Sequence, residues 1–144
     1  MNDLFQAVLL DHARRPRNQG RLDGATATGE GYNRFCGDHC TVYLDVSEGV
    51  IRDVSFEGSG CAILLASASL LTLALVGKTK EEAQVVAEQF HGLLTADDPS
   101  DEDGLGDLLA LAGVKNYPSR IKCATLPWHG LRAALEAGDS VSRK

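Results

Sequence analysis

A chain of 144 residues buries roughly 70% of the surface its unfolded form exposes, so a hydrophobic core can hold it without disulfides. Apolar residues make up 44% and charged ones 24%, the balance of a globular chain that is expected to fold as one domain over 1–144. The net charge of −6 argues against general nucleic-acid binding, which calls for a basic surface.

Residues 3–15 carry Leu4, Phe5, Val8 and Leu9 at helical spacing, and Pro16 stops the pattern. The opening MNDLFQAVLLDHARR has no basic run followed by a small-residue cleavage site, which sets the expectation of a cytoplasmic protein. Arg14, Arg15, Arg17, Arg21 and Arg34 concentrate positive charge near this end. The turn formers of PRNQGRLDGATATGEGYN lead to a short strand near 26–32. Val42, Leu44 and Val46 then alternate with Thr41, Tyr43 and Asp45, and Val50, Arg52, Val54 and Phe56 with Ile51, Asp53 and Ser55. SEGV between them makes the pair an antiparallel hairpin.

After EGSG the period changes to that of a helix over about 62–76, ended by Gly77. The apolar stretch 61–77 nears the length of a membrane span, but Ser67, Ser69 and Thr72 interrupt it and no basic anchors precede it. It reads as a buried core helix, and no membrane role is expected. Thr79 and Glu82 form a capping box for a helix over about 80–91. Asp97, Asp98, Asp101, Glu102, Asp103 and Asp107 make an acidic run, read as a solvated loop rather than a patch for a basic partner. Leu105, Leu108, Leu109 and Ala112 suggest a short helix stopped by Gly113, followed by an irregular VKNYPSRIK. Thr125 is expected to cap a last helix to about Ala137, with Pro127 in its first turn and Gly138 at its end. Strands first and helices after is an α+β order, a small antiparallel sheet with helices packed on it.

Four cysteines in a reducing compartment point to metal or catalysis before disulfides. Cys36 precedes Gly37 in a loop, Cys61 opens a helix, and Cys123 lies two residues ahead of the expected cap. Helix starts favour thiolates, and Arg120 and Lys122 beside Cys123 act in the same direction. Cys40 shares the parity of Val42 and Leu44, so it belongs to the core. Three thiolates with Asp38 would complete a tetrahedral zinc shell, and the same set can hold an iron–sulfur cluster. The bland alternatives are buried structural cysteines and a turn-forming aspartate. His39 and His129 are further candidate ligands, read first as solvated or hydrogen-bonded side chains. Nothing suggests a zinc hydrolase, since H-E-x-x-H and a strand–nucleophile–helix elbow are both missing.

CGD ahead of a strand, FEGSGCAILLASASLLT and RIKCATLPWHGL together resemble the U-type iron–sulfur scaffold family, IscU and NifU, and most closely its SufU branch. The likeness spans nearly the whole chain, including DHARRPRNQGRL. The long stretch between Cys61 and Cys123 and Lys122, where IscU members carry histidine, point to that branch. NRF before Cys36 departs from the family's usual NP plus a small residue. The resemblance implies the α+β fold and one Zn²⁺ on Cys36, Asp38, Cys61 and Cys123. It also implies a sulfurtransferase role. Sulfur would come from the persulfide of a pyridoxal-phosphate-dependent, SufS-like cysteine desulfurase and pass to a downstream iron–sulfur scaffold. Cys36, in its glycine-containing loop, is the expected acceptor. The rival readings are a scaffold that assembles a [2Fe–2S] cluster on the same ligands and a structural zinc adaptor.

Overall fold

The computed structural model describes residues 3–33, 37–95 and 105–142. In chain order these form α1 (Asp3–Arg14), β1 (Ala27–Tyr32), β2 (His39–Ser47), β3 (Val50–Ser59), α2 (Ala62–Leu75), α3 (Lys80–Thr95), a 3₁₀ stretch (Gly106–Asn116) and α4 (Pro118–Ser142). The three strands make one antiparallel sheet in the order β1-β2-β3. The architecture is the expected α+β one.

The hairpin between β2 and β3 turns on Glu48 (φ +55°) and Gly49 (φ +78°), both in the left-handed region that a two-residue hairpin turn requires. The strict alternation expected for β3 is broken. Asp45 faces Asp53 but Val46 faces Ile51, so Arg52 is an extra residue, a bulge. One inserted residue swaps the faces, and Ile51 is therefore buried with Val54 and Phe56 while Arg52 is exposed.

The inner face of the sheet and the helices bury one apolar cluster around α2. This helix is apolar on nearly every side because neighbours surround it, as its sequence suggested. Among the described residues no helix is long and apolar enough to cross a membrane. Its three polar residues are hydrogen-bonded rather than solvated. Ser69 Oγ accepts from the Arg17 backbone N–H at 2.8 Å and pairs with His12 Nδ1 at 2.6 Å. Thr72 Oγ1 donates to the Ser69 carbonyl and accepts from Asn18 Nδ2. The segment after α1 is thereby tied to the core. His12 is buried, and burial, reinforced by Arg17, lowers its pKa from the ordinary 6.5, so the ring is held neutral.

Thr79 and Glu82 close the capping box reciprocally, with N···O distances of 2.9 and 3.1 Å, and α3 follows for longer than the periodicity indicated. Several expectations near the C-terminus are corrected. The 3₁₀ stretch continues past Gly113, and α4 begins at Pro118, not at Thr125, so VKNYPSRIK is mostly helical. Pro118 is suited to a first helical position because the N–H it lacks would have no partner there. Pro127 consequently lies in the helix interior, and Gly138 does not end α4, which runs to Ser142.

α4 lies directly on the backbone of β1. A Cβ on Gly29 would stand 2.1 Å from the Gly130 carbonyl oxygen and 2.2 Å from the Ala134 nitrogen. One on Gly31 would stand 2.3 Å from the Leu126 carbonyl oxygen. The glycines of TGEGY are thus the surface on which the last helix sits.

Candidate metal centre

Three sequence-distant segments converge at one end of the sheet. Asp38 ends the connection from β1 to β2, Cys61 is the N-cap of α2, and Cys123 sits in the second turn of α4. One ligand atom from each lies within 4.8 Å of the other two, and all three residues are partly buried. Cys123 Sγ is 4.0 Å from Asp38 Oδ2 and 3.9 Å from the Ser119 carbonyl oxygen. Cys36, the fourth expected ligand, lies outside the described residues. The chain on either side of it is closed on itself, with the Gly37 N–H donating to the Asn33 carbonyl at 2.8 Å and the Asn33 N–H to the Asp38 carbonyl at 2.9 Å.

Each candidate ligand is placed by its own local device. Gly37 adopts φ +78°, a left-handed conformation that lets the chain reverse before Asp38. Cys61 is extended (φ −76°, ψ 171°) and its carbonyl accepts from the Leu65 N–H, so its sulfur stands at the positive end of α2. Gly60 leaves room for the carboxylate, since a Cβ there would be 3.0 Å from Asp38 Cγ. Cys123 is held from behind. Ser67 Oγ donates to the Ala124 carbonyl at 2.6 Å and accepts from Trp128 Nε1 at 3.1 Å, locking α4 to α2 beside the site. Pro127 has no N–H to offer the Cys123 carbonyl four residues earlier.

The electrostatics match an acidic donor set that wants a cation. The Cys123 thiol is pushed up to about 11, first by burial, then by the hydrogen bond and charge of Cys61 and by Asp38. Arg120 acts in the opposite direction, as its sequence position suggested, but is outweighed. A divalent cation placed among the two sulfurs and the carboxylate would stabilise their anionic forms together. With thiolate and carboxylate donors the set suits zinc and is compatible with an iron–sulfur cluster.

The remaining sequence candidates separate from the site. Cys40 is fully buried, with burial raising its thiol to about 12, and belongs to the core as expected. His39 pairs with Tyr32 and Ser59 across the sheet and is not part of the three-ligand group. His129 faces α3 instead. Asp107 lies in the first turn of the 3₁₀ stretch, while the rest of the acidic run, 97–103, lies outside the described residues. Sequence reasoning missed Gly60, Ser67 and Trp128. A serine inside an otherwise apolar helix was the available signal for Ser67.

The model of the NifU-like N-terminal domain matches residues 4–124. The iron–sulfur cluster assembly scaffold protein IscU of Streptococcus pyogenes serotype M1 is 40% identical over 94% of this chain and 85% of its own length. The zinc-dependent sulfurtransferase SufU of Bacillus subtilis is 37% identical over 94% of this chain and 91% of its own. A crystal structure from Fervidobacterium islandicum AW-1, named as a candidate iron–sulfur cluster assembly scaffold for the SUF system, superposes with a TM-score of 0.83 at 37% identity. It covers 89% of this chain and 93% of that one. With the fold, the ligand geometry and these likenesses in agreement, the chain belongs to the NifU-like N-terminal domain family of IscU and SufU proteins.

Proposed function

We propose that this chain works in iron–sulfur cluster assembly as a sulfur acceptor. It takes persulfide sulfur from a pyridoxal-phosphate-dependent, SufS-like cysteine desulfurase and hands it to a downstream scaffold. The convergence of Asp38, Cys61 and Cys123 carries the reading, with Cys36 proposed as fourth ligand and as the acceptor. Lys122, beside Cys123, offers no imidazole to a cluster, and the SufU relative is named a zinc-dependent sulfurtransferase.

Bound zinc would keep the cysteines as thiolates and fasten the three segments together. The protein's own part is to make one sulfur deliverable. Cys123 sits within α4, so moving it means unwinding that helix, and Cys61 is tied to the start of α2 by its carbonyl, which accepts from the Leu65 N–H. Cys36 belongs to the connection between β1 and β2, next to a glycine with open space around its Cα. Its thiolate attacks the outer sulfur of the partner's persulfide. The new bond joins Cys36 Sγ to that sulfur, the old S–S bond breaks, and the desulfurase cysteine leaves as thiolate. No net oxidation occurs. Asp38 is a hard, exchangeable ligand, and a side chain of the partner can occupy the position that Cys36 leaves.

Cys36→Ser should fold normally and abolish stimulation of desulfurase turnover. Full stimulation by this variant removes Cys36 from the acceptor role. The second reading, a scaffold for a [2Fe–2S] cluster, is favoured by the IscU relative's name. Anaerobic reconstitution with iron and sulfide separates the two, because a stable, transferable cluster seen by visible absorbance supports the scaffold.

A further inference from the structure

A second chemically distinctive place lies between α3 and α4. A cavity of about 210 Å³ has the rings of Phe90 and Trp128 in its wall, stacked with centroids 4.7 Å apart. Trp128 is fixed by its hydrogen bond to Ser67, so the wall is rigid. Thr125, Trp128, His129 and Arg132 follow the i, i+3, i+4, i+7 spacing of one helical face, and His91 comes from α3 opposite.

The charge of this cavity is the reverse of the molecule's. The chain carries −6, yet the lining holds one guanidinium, two imidazoles and no carboxylate. Glu88 and Glu136 line the adjoining hollow of about 420 Å³, which Arg132 also borders. Neither forms an ion pair with Arg132 among the described residues. His129 is held below the ordinary 6.5, first by partial desolvation of its ring and then by the positive neighbours Arg132 and His91.

We infer that this cavity binds a small oxyanion of phosphate or carboxylate chemistry, held by Arg132 with His129 and His91. Arginine presents paired donors that match two oxygens of such a group, and an imidazole N–H can donate a further hydrogen bond. The aromatic wall excludes water from one side of the ligand, which strengthens those bonds. None of the proposed metal ligands lines this cavity, and its binding does not depend on sulfur chemistry.

Side-chain nitrogen NMR of the full chain tests this without a desulfurase or iron. Inorganic phosphate and, separately, succinate are titrated near neutral pH against sodium chloride of equal ionic strength. The His91 and His129 resonances should shift together and saturate with at least one of the two, which identifies the ligand class, while buried His12 stays still. Arg132→Gln and His129→Gln, both at exposed positions, should each weaken binding roughly fivefold or more with the circular dichroism unchanged. Non-saturating shifts that chloride reproduces, or an affinity that Arg132→Gln leaves intact, overturn the inference.

Discussion

At the scale of single residues, the proposed metal centre depends on space as much as on its candidate ligands. Gly60 has no left-handed φ to explain it, and its role is the room it leaves beside Asp38. A methyl there would press on Asp38 Cγ at 3.0 Å and on Leu64 Cδ1 at 2.8 Å. Leu64 can yield at its tip, whereas the carboxylate must turn away from the two sulfurs. Alanine also restricts the unfolded chain, which offsets the strain in the folded one. Gly60→Ala should therefore lower zinc affinity about tenfold or more with little loss of stability, since displaced ligand support typically weakens metal sites by 10–100-fold. Competition against a chromophoric chelator measures this, and unchanged affinity would show that Asp38 is not held by this contact. The donor types were readable in CGD, GSGC and IKC. The clearance at Gly60 was not, because a glycine before a helix looks like an ordinary turn former until the neighbouring strand is in place.

At the scale of elements, α4 and β1 form a joint made of backbone. The contacts at Gly29 and Gly31 are to main-chain atoms, which have no flexible end to give way. Gly31→Ala should force α4 away from the sheet and destabilise the protein by about 3 kcal/mol or more, the upper range for overpacking. Urea unfolding reads the loss, and because Cys123 rides on α4, metal affinity should fall with it. A variant of native stability would mean that the helix can slide without penalty. The hairpin, the capping box and the buried character of α2 were legible because turn chemistry, Thr79 with Glu82, and apolar content are local signals. The bulge at Arg52 and the start of α4 were not. Arg52 keeps an alternating pattern in sequence while the pairing skips it. Pro127 looks like a first-turn residue, since an interior proline costs about 3 kcal/mol in an isolated helix. Tertiary packing overrides that preference here. Leu126, Trp128 and Leu131 around it are buried, and the Ser67 hydroxyl takes the Ala124 carbonyl.

At the scale of the whole molecule, the apolar cluster around α2 and the proposed metal centre are separate sources of stability. The cluster joins the sheet, α2, α3 and α4 through fully buried side chains such as Phe56, Leu71 and Phe90. The centre joins only the ends of three segments, the β1–β2 connection, the first residue before α2 and the early turns of α4. Removing zinc should accordingly loosen one end of the molecule and leave the rest folded, unlike small zinc domains that unfold without metal. A ligand present at a hundred times its dissociation constant adds about 2.7 kcal/mol, so chelation should lower Tm by roughly 8–10 °C in a chain of this length. Hydrogen exchange should quicken around Asp38, Cys61 and Cys123 while the amides of central α2 keep their protection. If chelation instead abolished the helical circular dichroism, the core would be shown unable to stand alone. That independence is also what the sulfur-acceptor reading requires, because a ligand can be lent to a partner only if the fold does not depend on keeping it.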